Sequence, residues 1–251
     1  MHEAFFFGPP AQRIFASYHP PAAGIGQVLT VICPPLFSEY MRTHPALREL
    51  AGALAEKDQH VLRFDFRGSG DSFGELEQLA VSDWIEDIAL VVREGCEISE
   101  CSEVRMVGVR GGALLACKAM GASAQVRRFV VWDPVIDGAG YLQALRRVQK
   151  ELCEQNFHLG RAERDKAMHE YSGYTLSDRM VKELGSLDAS AYSNVPRGML
   201  RAVSTTTAGD FPVAGVQPDV IPFRCNWDTV TAELIVARPV LERLVECLTR
   251  P

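Results

Sequence analysis

Three features that would indicate a membrane, nucleic-acid or metal-binding protein are missing from this sequence. No apolar run approaches the roughly 18 residues that a helix needs to span a bilayer. Acidic residues outnumber basic ones, 32 against 26, whereas nucleic-acid binding requires a basic surface. The cysteines form no CxxC pair, and no cluster of Cys and His has zinc-site spacing. We therefore expect no membrane span, no nucleic-acid partner, no metal and no cofactor.

A secretory signal is also missing. The first eight residues, MHEAFFFG, lack the basic start and the apolar length of a signal peptide. The seven cysteines are an odd number, as is typical of the reduced thiols that the cytosol maintains. Apolar residues make up 47% of the 251 positions, enough for one large core. We therefore expect a folded, cytoplasmic protein.

Apolar segments of strand length alternate with amphipathic helical segments over the first 140 residues. The predicted strands are 5–7, 13–18, 28–33, 61–66, 104–108 and 128–132, and the predicted helices are 44–57, 81–94 and 111–120. The first two strands read as a hairpin, and 28–33 is apolar throughout, as is typical of a central parallel strand. The alternation predicts an α/β fold, with a mostly parallel central sheet flanked by helices on both sides.

The alternation stops between residues 141 and 195. Three helical segments, 141–156, 162–171 and 176–187, follow one another there without a strand. Strands return at 199–204 and 220–224, and a last helix is predicted at 239–248. We divide this single domain into an N-terminal part of the core (1–140), a helical lid insertion (141–195) and a C-terminal part of the core (196–251).

A glycine-rich turn follows the predicted strand 104–108. It reads Gly108-Val109-Arg110-Gly111-Gly112 and leads directly into a helix. A large class of hydrolases carries its nucleophilic serine in a G-x-S-x-G turn at this place, where the glycines permit the sharp bend. The flanking glycines are present here, but the middle residue is Arg110. The sequence therefore predicts the turn without its nucleophile.

The histidine that such a site needs is missing as well. The chain order in that class is nucleophile, acid, histidine, but the last of the six histidines is His169. The loop after the last predicted strand reads Cys225-Asn226-Trp227-Asp228. Asp210 lies near the place of the acid, but an acid that orients no imidazole has no role in a triad. We therefore expect no ordinary Ser-His-Asp hydrolysis.

Four segments of the chain resemble a known family. Residues 61–74, VLRFDFRGSGDSFG, resemble the fourth-strand signature of serine aminopeptidase-like α/β-hydrolases. Residues 33–40, 108–116 and 131–138 are similar to the branch called exosortase-system-associated hydrolases, which also place arginine at the turn. The resemblance spans most of the chain and is weakest after about residue 195. It implies an α/β-hydrolase fold and a biosynthetic or export pathway with a partner protein, and it does not by itself imply hydrolysis.

Arg110 has two interpretations. The N-terminus of a helix favours an anion, and a guanidinium adds a permanent charge and a two-pronged donor. The turn would then bind a small anionic or acyl-type ligand through a carboxylate, a phosphate or a thioester-linked headgroup. Alternatively, Arg110 forms an internal ion pair with Asp133, Asp65 or Glu39, because a buried unpaired arginine is unfavourable. The two interpretations are compatible if a ligand displaces the acidic partner from Arg110.

The candidate ligand-binding residues surround this turn at the carboxyl ends of the strands, where α/β sheets bind ligands. They are Pro35, Leu36, Glu39, Val109, Arg110, Gly111 and Asp133. The two catalytic candidates are Cys33, whose thiolate Arg110 could favour, and Asp133. A small buried thiol and a helix cap are the alternative interpretations of these two residues.

Three functional hypotheses follow. The first is a hydrolase-fold protein with an incomplete triad that binds an anionic ligand or a pathway partner. The second is a hydrolase, thioesterase or acyltransferase that uses Cys33 or a water activated by an acid. The third is a scaffolding protein that uses the surface of the lid.

Overall fold

The fold is built on an eight-stranded sheet. The computed structural model describes residues 2–119, 123–155, 160–196, 198–205, 211, 213, 215–229 and 233–250. The strands are β1 (Glu3–Phe7), β2 (Ile14–His19), β3 (Val28–Cys33), β4 (His60–Phe64), β5 (Glu103–Val109), β6 (Val126–Trp132), β7 (Leu200–Ser204) and β8 (Asp219–Val220). Their spatial order is β1-β2-β4-β3-β5-β6-β7-β8.

Most of the sheet is parallel. β2 pairs antiparallel with both β1 and β4, and every other pair of neighbours is parallel. β3 lies between β4 and β5, and its residues from Leu29 to Cys33 are all buried. An apolar run such as VLTVIC suits this central place because both of its faces are covered. The predicted hairpin and the predicted α/β class are both confirmed.

Helices cover both faces of the sheet. The helices of the core are α1 (Ser38–Ala55), α2 (Val81–Ser99), α3 (Gly111–Ala119) and α7 (Arg238–Thr249). α1 and α7 pack on one face around the sheet residues Ile32, Val107 and Trp132. α2 and α3 pack on the opposite face, where Trp84 and Phe129 are fully buried. Each face therefore has its own apolar core.

Three further helices are inserted between β6 and β7. They are α4 (Gly138–Gln155), α5 (Arg161–Ala167) and α6 (Asp178–Gly185), followed by a 3₁₀ helix, Ala189–Asn194. Gly138 lies so close to α6 that a Cβ atom there would be 1.9 Å from the carbonyl oxygen of Leu184. The N-cap Ser177 ties α6 to the core, because its hydroxyl donates to the carbonyl of Leu79 at 2.5 Å.

The bounds of several predicted elements differ from the structure, for example the helix predicted at 81–94, which continues to Ser99, and two of these differences have a clear physical reason. α1 begins at Ser38 rather than at residue 44, so Pro45 lies inside the helix. Pro45 lacks the N–H that would bond to the Met41 carbonyl, and this is tolerated because both residues are exposed to water. β8 has two residues instead of five, because Pro222 cannot donate a ladder hydrogen bond and the chain leaves the sheet.

No described helix is both long and apolar enough to cross a membrane. None of the seven cysteines, all of which are described, forms a disulfide. The predicted helix ends at residues 120 and 156 lie outside the described residues, as does Asp210.

Candidate functional site

The turn between β5 and α3 holds Arg110 at the carboxyl edge of the sheet. The backbone of Arg110 is left-handed, with φ of 52°, and its N–H donates to the carbonyl of Trp132 at 3.0 Å. Glycine is required on both sides. A Cβ atom at Gly108 would lie 2.5 Å from the Cα of Ala113, and one at Gly112 would lie 2.0 Å from the carbonyl oxygen of Pro34. The turn is therefore as sharp as the spacing of its glycines predicts.

Arg110 forms a buried ion pair with Glu39. Arg110 Nε donates to Glu39 Oε1 at 3.1 Å, and the hydroxyl of Tyr141 donates to Glu39 Oε2 at 3.0 Å. Glu39 is only 2% exposed. Burial raises the pKa of Glu39, and Arg110 and Tyr141 oppose that rise. Burial lowers the pKa of Arg110, but Glu39, Tyr141 and Asp228 together outweigh it, so that this pKa is raised overall. The arginine therefore stays charged.

The remaining sides of the guanidinium face the carboxyl edge of the sheet. Nη1 donates to the carbonyl oxygen of Asp133 at 3.2 Å, and Nη2 lies 4.0 Å from Oδ1 of Asp228. The ring centre of Trp227 is 5.0 Å from Arg110 Cζ, a cation–π distance. Of the three predicted acidic partners, only Glu39 pairs with Arg110. Asp133 contacts it through its backbone instead.

Asp133 uses its carboxylate to hold other residues. Its Oδ1 accepts the backbone N–H of Thr205 at 2.6 Å, and its Oδ2 accepts both the Thr205 hydroxyl and Trp227 Nε1, the latter at 2.8 Å. Both carboxylate oxygens are therefore occupied. Asp65, the third predicted partner, accepts bonds from the hydroxyl of Tyr40 and from the N–H of Asp71.

The segment 221–229, which we call the cavity loop, bounds a large cavity beside Arg110. The cavity has a volume of about 850 Å³. Its described lining consists of Arg110, Thr205, Pro222, Phe223, Arg224, Cys225, Asn226, Trp227, Asp228 and Thr229. Of the predicted ligand-binding residues, only Arg110 lines it. The described lining contains two arginines and no histidine.

The other predicted ligand-binding residues are not among the described residues that line this cavity. Val109 is fully buried against the α1 face of the sheet, and Pro35 is buried as well. Gly111 lies under Leu36, because a Cβ atom there would be 2.7 Å from Leu36 Cδ1. These residues shape the turn at Arg110, and their role in ligand binding stays a prediction.

The thiol of Cys33 does not reach the cavity. Its side chain is fully buried in the core on the α2 face, and burial raises its pKa far above the usual range. The apolar interpretation of this cysteine is therefore confirmed. Cys225, which the sequence did not single out, does line the cavity. Burial raises its pKa to about 11, so this thiol is also protonated at neutral pH.

Arg42 holds the cavity loop from below. Its Nε, Nη1 and Nη2 donate to the carbonyl oxygens of Glu233, Trp227 and Asn226 at 3.1, 3.0 and 2.5 Å. Its own carbonyl accepts the N–H of Ile235 at 2.8 Å. Arg42 is 6% exposed, although its place in a helix gives no sign of this role in the sequence. A single buried cation thus fixes the loop that bounds the cavity.

The parallel sheet covered by helices, the sharp strand–turn–helix at Arg110 and the cavity at the carboxyl edge together define the α/β-hydrolase fold. The chain belongs to the serine aminopeptidase (S33) family, whose model matches residues 39–186, more than half of its length. No curated protein sequence matches the chain.

Solved structures show the same fold at low sequence identity. The α/β-hydrolase GrgF from Penicillium sp. sh18 is 14% identical with a TM-score of 0.66, and the match covers 100% of this chain and 98% of that one. Est1E from Butyrivibrio proteoclasticus, solved with ferulic acid bound, is 15% identical with a TM-score of 0.61, over 98% and 100%. Mouse α/β-hydrolase domain-containing protein 10 is 14% identical with a TM-score of 0.58, over 98% and 96%.

Proposed function

We propose that this protein binds an anionic, acyl-type ligand at Arg110 and does not carry out Ser-His-Asp hydrolysis. The observation that carries the proposal is the place of Arg110. It occupies the left-handed turn between β5 and α3, where this fold positions its nucleophile. A guanidinium at that place recognises a carboxylate or a phosphate, and it cannot attack a carbonyl carbon.

The contacts of the neighbouring residues argue against a substitute catalytic apparatus. Cys33 is fully buried, so no substrate reaches its thiol. Asp133 is buried, its carboxylate accepts three hydrogen bonds, and it is not among the described residues that line the cavity, so it is poorly placed to activate a water there. No histidine is among the described residues that line the cavity. The alternative of a hydrolase or acyltransferase built on these residues therefore has no supporting contact.

The Arg110 guanidinium retains donors for a ligand. It carries five N–H groups, of which Nε–H bonds to Glu39 and one Nη1–H bonds to the Asp133 carbonyl. Asp228, the other described carboxylate that forms an ion pair with Arg110, is 55% exposed and 4.0 Å away, too far for a hydrogen bond. A ligand oxyanion at about 2.8 Å would replace this weak partner. Trp227 and Phe223 provide apolar walls for an acyl chain.

The wider proposals rest on the sequence. We propose that residues 141–195 act as a lid and that the protein is cytoplasmic. We also propose that it works in a biosynthetic or export pathway beside a partner protein, as the resemblance to exosortase-associated hydrolases implies. Tyr141 of α4 supports the lid assignment, because it contacts Glu39 and lies 5.9 Å from the Arg110 guanidinium carbon.

Ligand-induced thermal stabilisation tests the proposal. Hexanoate and inorganic phosphate would be titrated at constant ionic strength, and each shift in melting temperature would be referred to the unliganded form of the same variant. For each ligand we expect greater stabilisation of the wild type than of Arg110→Met, and an intermediate value for Arg110→Lys. Asp228→Asn should bind more tightly than the wild type, because it removes the competing carboxylate.

Arg224→Gln serves as the matched control, because it removes an exposed cation from the same cavity but leaves Arg110 in place. It should retain most of the stabilisation. Hydrolysis of nitrophenyl esters and thioesters would be measured in parallel, and we expect no turnover. Equal stabilisation of Arg110→Met and the wild type would refute the ligand site at Arg110, and turnover by the purified wild type would refute the non-hydrolytic assignment.

A further inference from the structure

A second polar cavity lies on the α1 face of the sheet. It has a volume of about 200 Å³, and it shares no described lining residue with the cavity at Arg110. Its polar lining comes from β2, α1, β4 and the loop after β4: Ser17, Tyr40, His44, Arg63, Asp65 and Asp71. The proposed function makes no use of these residues.

Arg63 is the buried cation of this cavity. It is 8% exposed, and its Nε and Nη1 lie 3.4 Å from Nε2 of His19 and of His44. Its Nη2 lies 3.3 Å from the hydroxyl of Ser17. Because a guanidinium only donates, both imidazole nitrogens must accept, and both histidines are neutral. All three contacts are long and all three partners are uncharged.

A neighbouring buried arginine, Arg67, has the carboxylate partner that Arg63 lacks among the described residues. Arg67 is 5% exposed, and its Nε lies 2.5 Å from Oδ1 of Asp87, so its charge is compensated by a direct ion pair. Among the residues that the structure describes, none offers Arg63 a carboxylate oxygen within 4.0 Å. A buried cation without a carboxylate partner is unfavourable unless an anion joins it.

Asp65 lines the cavity but is engaged elsewhere. Its Oδ1 accepts the hydroxyl of Tyr40, and its Oδ2 accepts the N–H of Asp71 at 3.0 Å. The side chain also packs on Gly70, where a Cβ atom would lie 2.1 Å from Oδ2. The carboxylates of Asp65 and Asp71 still limit how much negative charge the cavity accepts, so a dianion is disfavoured relative to a monoanion.

We propose that this cavity is a second binding site, specific for a carboxylate, in which the guanidinium of Arg63 holds the ligand. The planar, two-pronged fork of arginine matches a carboxylate. The volume suits either a small free acid or the carboxylate end of a larger molecule. The inference is independent of ligand binding at Arg110, because the two cavities are separate.

Proton NMR of the wild type provides a test that needs no mutation. Sodium acetate would replace sodium chloride at constant ionic strength while the histidine ring signals are followed. We expect a saturable shift of the His19 and His44 signals and no shift of His169, which is exposed outside this cavity. Absence of a saturable shift would overturn the proposal, as would tighter binding of inorganic phosphate than of acetate.

Hexanoate distinguishes the two sources of the carboxylate. If hexanoate binds as tightly as acetate, the site reads the carboxylate end of a larger molecule. If hexanoate fails to bind, the site takes a small free acid. Either result is compatible with a carboxylate site, provided that acetate itself binds.

Substitutions then assign the binding to Arg63. Arg63→Met should abolish the acetate-dependent shifts, and Arg63→Lys should weaken binding by about tenfold, because the ammonium keeps the charge but loses the fork. Arg93→Gln removes an exposed arginine from α2, on the opposite face of the sheet, and serves as the control with wild-type binding. Arg110→Met should also bind acetate in this cavity. Wild-type affinity in Arg63→Lys would overturn the assignment even if Arg63→Met fails to fold.

Discussion

Replacing Arg110 by methionine isolates the buried ion pair with Glu39. Methionine keeps an unbranched side chain but removes the charge and the donor at 3.1 Å, which leaves Glu39 with only the hydroxyl of Tyr141. Removing one partner of a buried pair costs about 3–5 kcal/mol. Glu39 can take up a proton and reduce this loss, so we expect about 2–4 kcal/mol at pH 7. For a domain of this size that corresponds to roughly 5–15 °C in melting temperature.

The pH dependence of this variant has a defined sign. Burial raises the pKa of Glu39, and without Arg110 one opposing influence is removed, so the pKa rises further. A carboxyl group whose folded pKa is raised contributes stability below its unfolded pKa of about 4.3 and loses it as the pH rises through the folded pKa. The deficit of Arg110→Met relative to the wild type should therefore shrink as the pH falls from 7 toward 4.5.

Urea unfolding followed by tryptophan fluorescence at several pH values measures both effects. The double variant Glu39→Gln/Arg110→Met removes both charges of this pair and should recover part of the lost stability. Arg243→Met is the matched control, because Arg243 pairs with Asp219 at the surface and should contribute less than about 1 kcal/mol. A deficit below about 1 kcal/mol for Arg110→Met, or one that grows as the pH falls, would contradict this reasoning.

Three further predictions concern other parts of the fold. Arg42→Met removes the donors to three carbonyl groups, so it should destabilise the protein by about 2–4 kcal/mol. It should also speed amide hydrogen exchange in the cavity loop, and unchanged exchange there would show that Arg42 does not hold the loop. Burial, reinforced by a nearby arginine, lowers the pKa of His19 to about 4. As the pH falls, the imidazole takes up a proton in the unfolded state first, at about pH 6.5. His19 should therefore lower the free energy of unfolding by about 1–3 kcal/mol between pH 6.5 and 4. Urea titrations of His19→Asn should lack that part of the acid destabilisation. Gly112→Ala should prevent stable folding, because its Cβ would lie 2.0 Å from a carbonyl oxygen, whereas Gly52→Ala, with nothing within 4 Å, should raise stability by about 0.5–1 kcal/mol; equal melting temperatures of the two would contradict the tight turn.

The parts of the fold that were predictable depend on local patterns. The run Val28–Cys33 reads as a central strand because its apolar residues continue without alternation, and it forms β3. The turn at Arg110 is recognisable because glycines are required where a Cβ atom would meet the backbone of another segment. The pair with Glu39 was one of three open possibilities, since both residues follow strands whose carboxyl ends meet at one edge.

The parts that were missed depend on contacts between distant segments. Arg42 lies in a helix, where an arginine usually faces water, and its role appears only when α1 packs against Asn226, Trp227 and Glu233. The cavity loop was predicted in part as a strand, because nothing local shows that the segment at Pro222 leaves the sheet after two paired residues. The start of α1 was placed too late, since Pro45 reads as a first-turn residue rather than an interior one.

The pair with Glu39 and a ligand at Arg110 are compatible because they use different edges of the guanidinium. Glu39 takes Nε–H on the buried side, and the Asp133 carbonyl takes one hydrogen of Nη1. Those two bonds fix the plane of the group and leave Nη2 near the exposed Asp228 at 4.0 Å. If Arg110 binds a ligand as proposed, Glu39 orients the guanidinium rather than blocking it. Ligand binding then carries no entropy cost for ordering the Arg110 side chain. Glu39→Gln should then weaken ligand binding while Asp228→Asn strengthens it, although both substitutions remove a negative charge beside the same arginine.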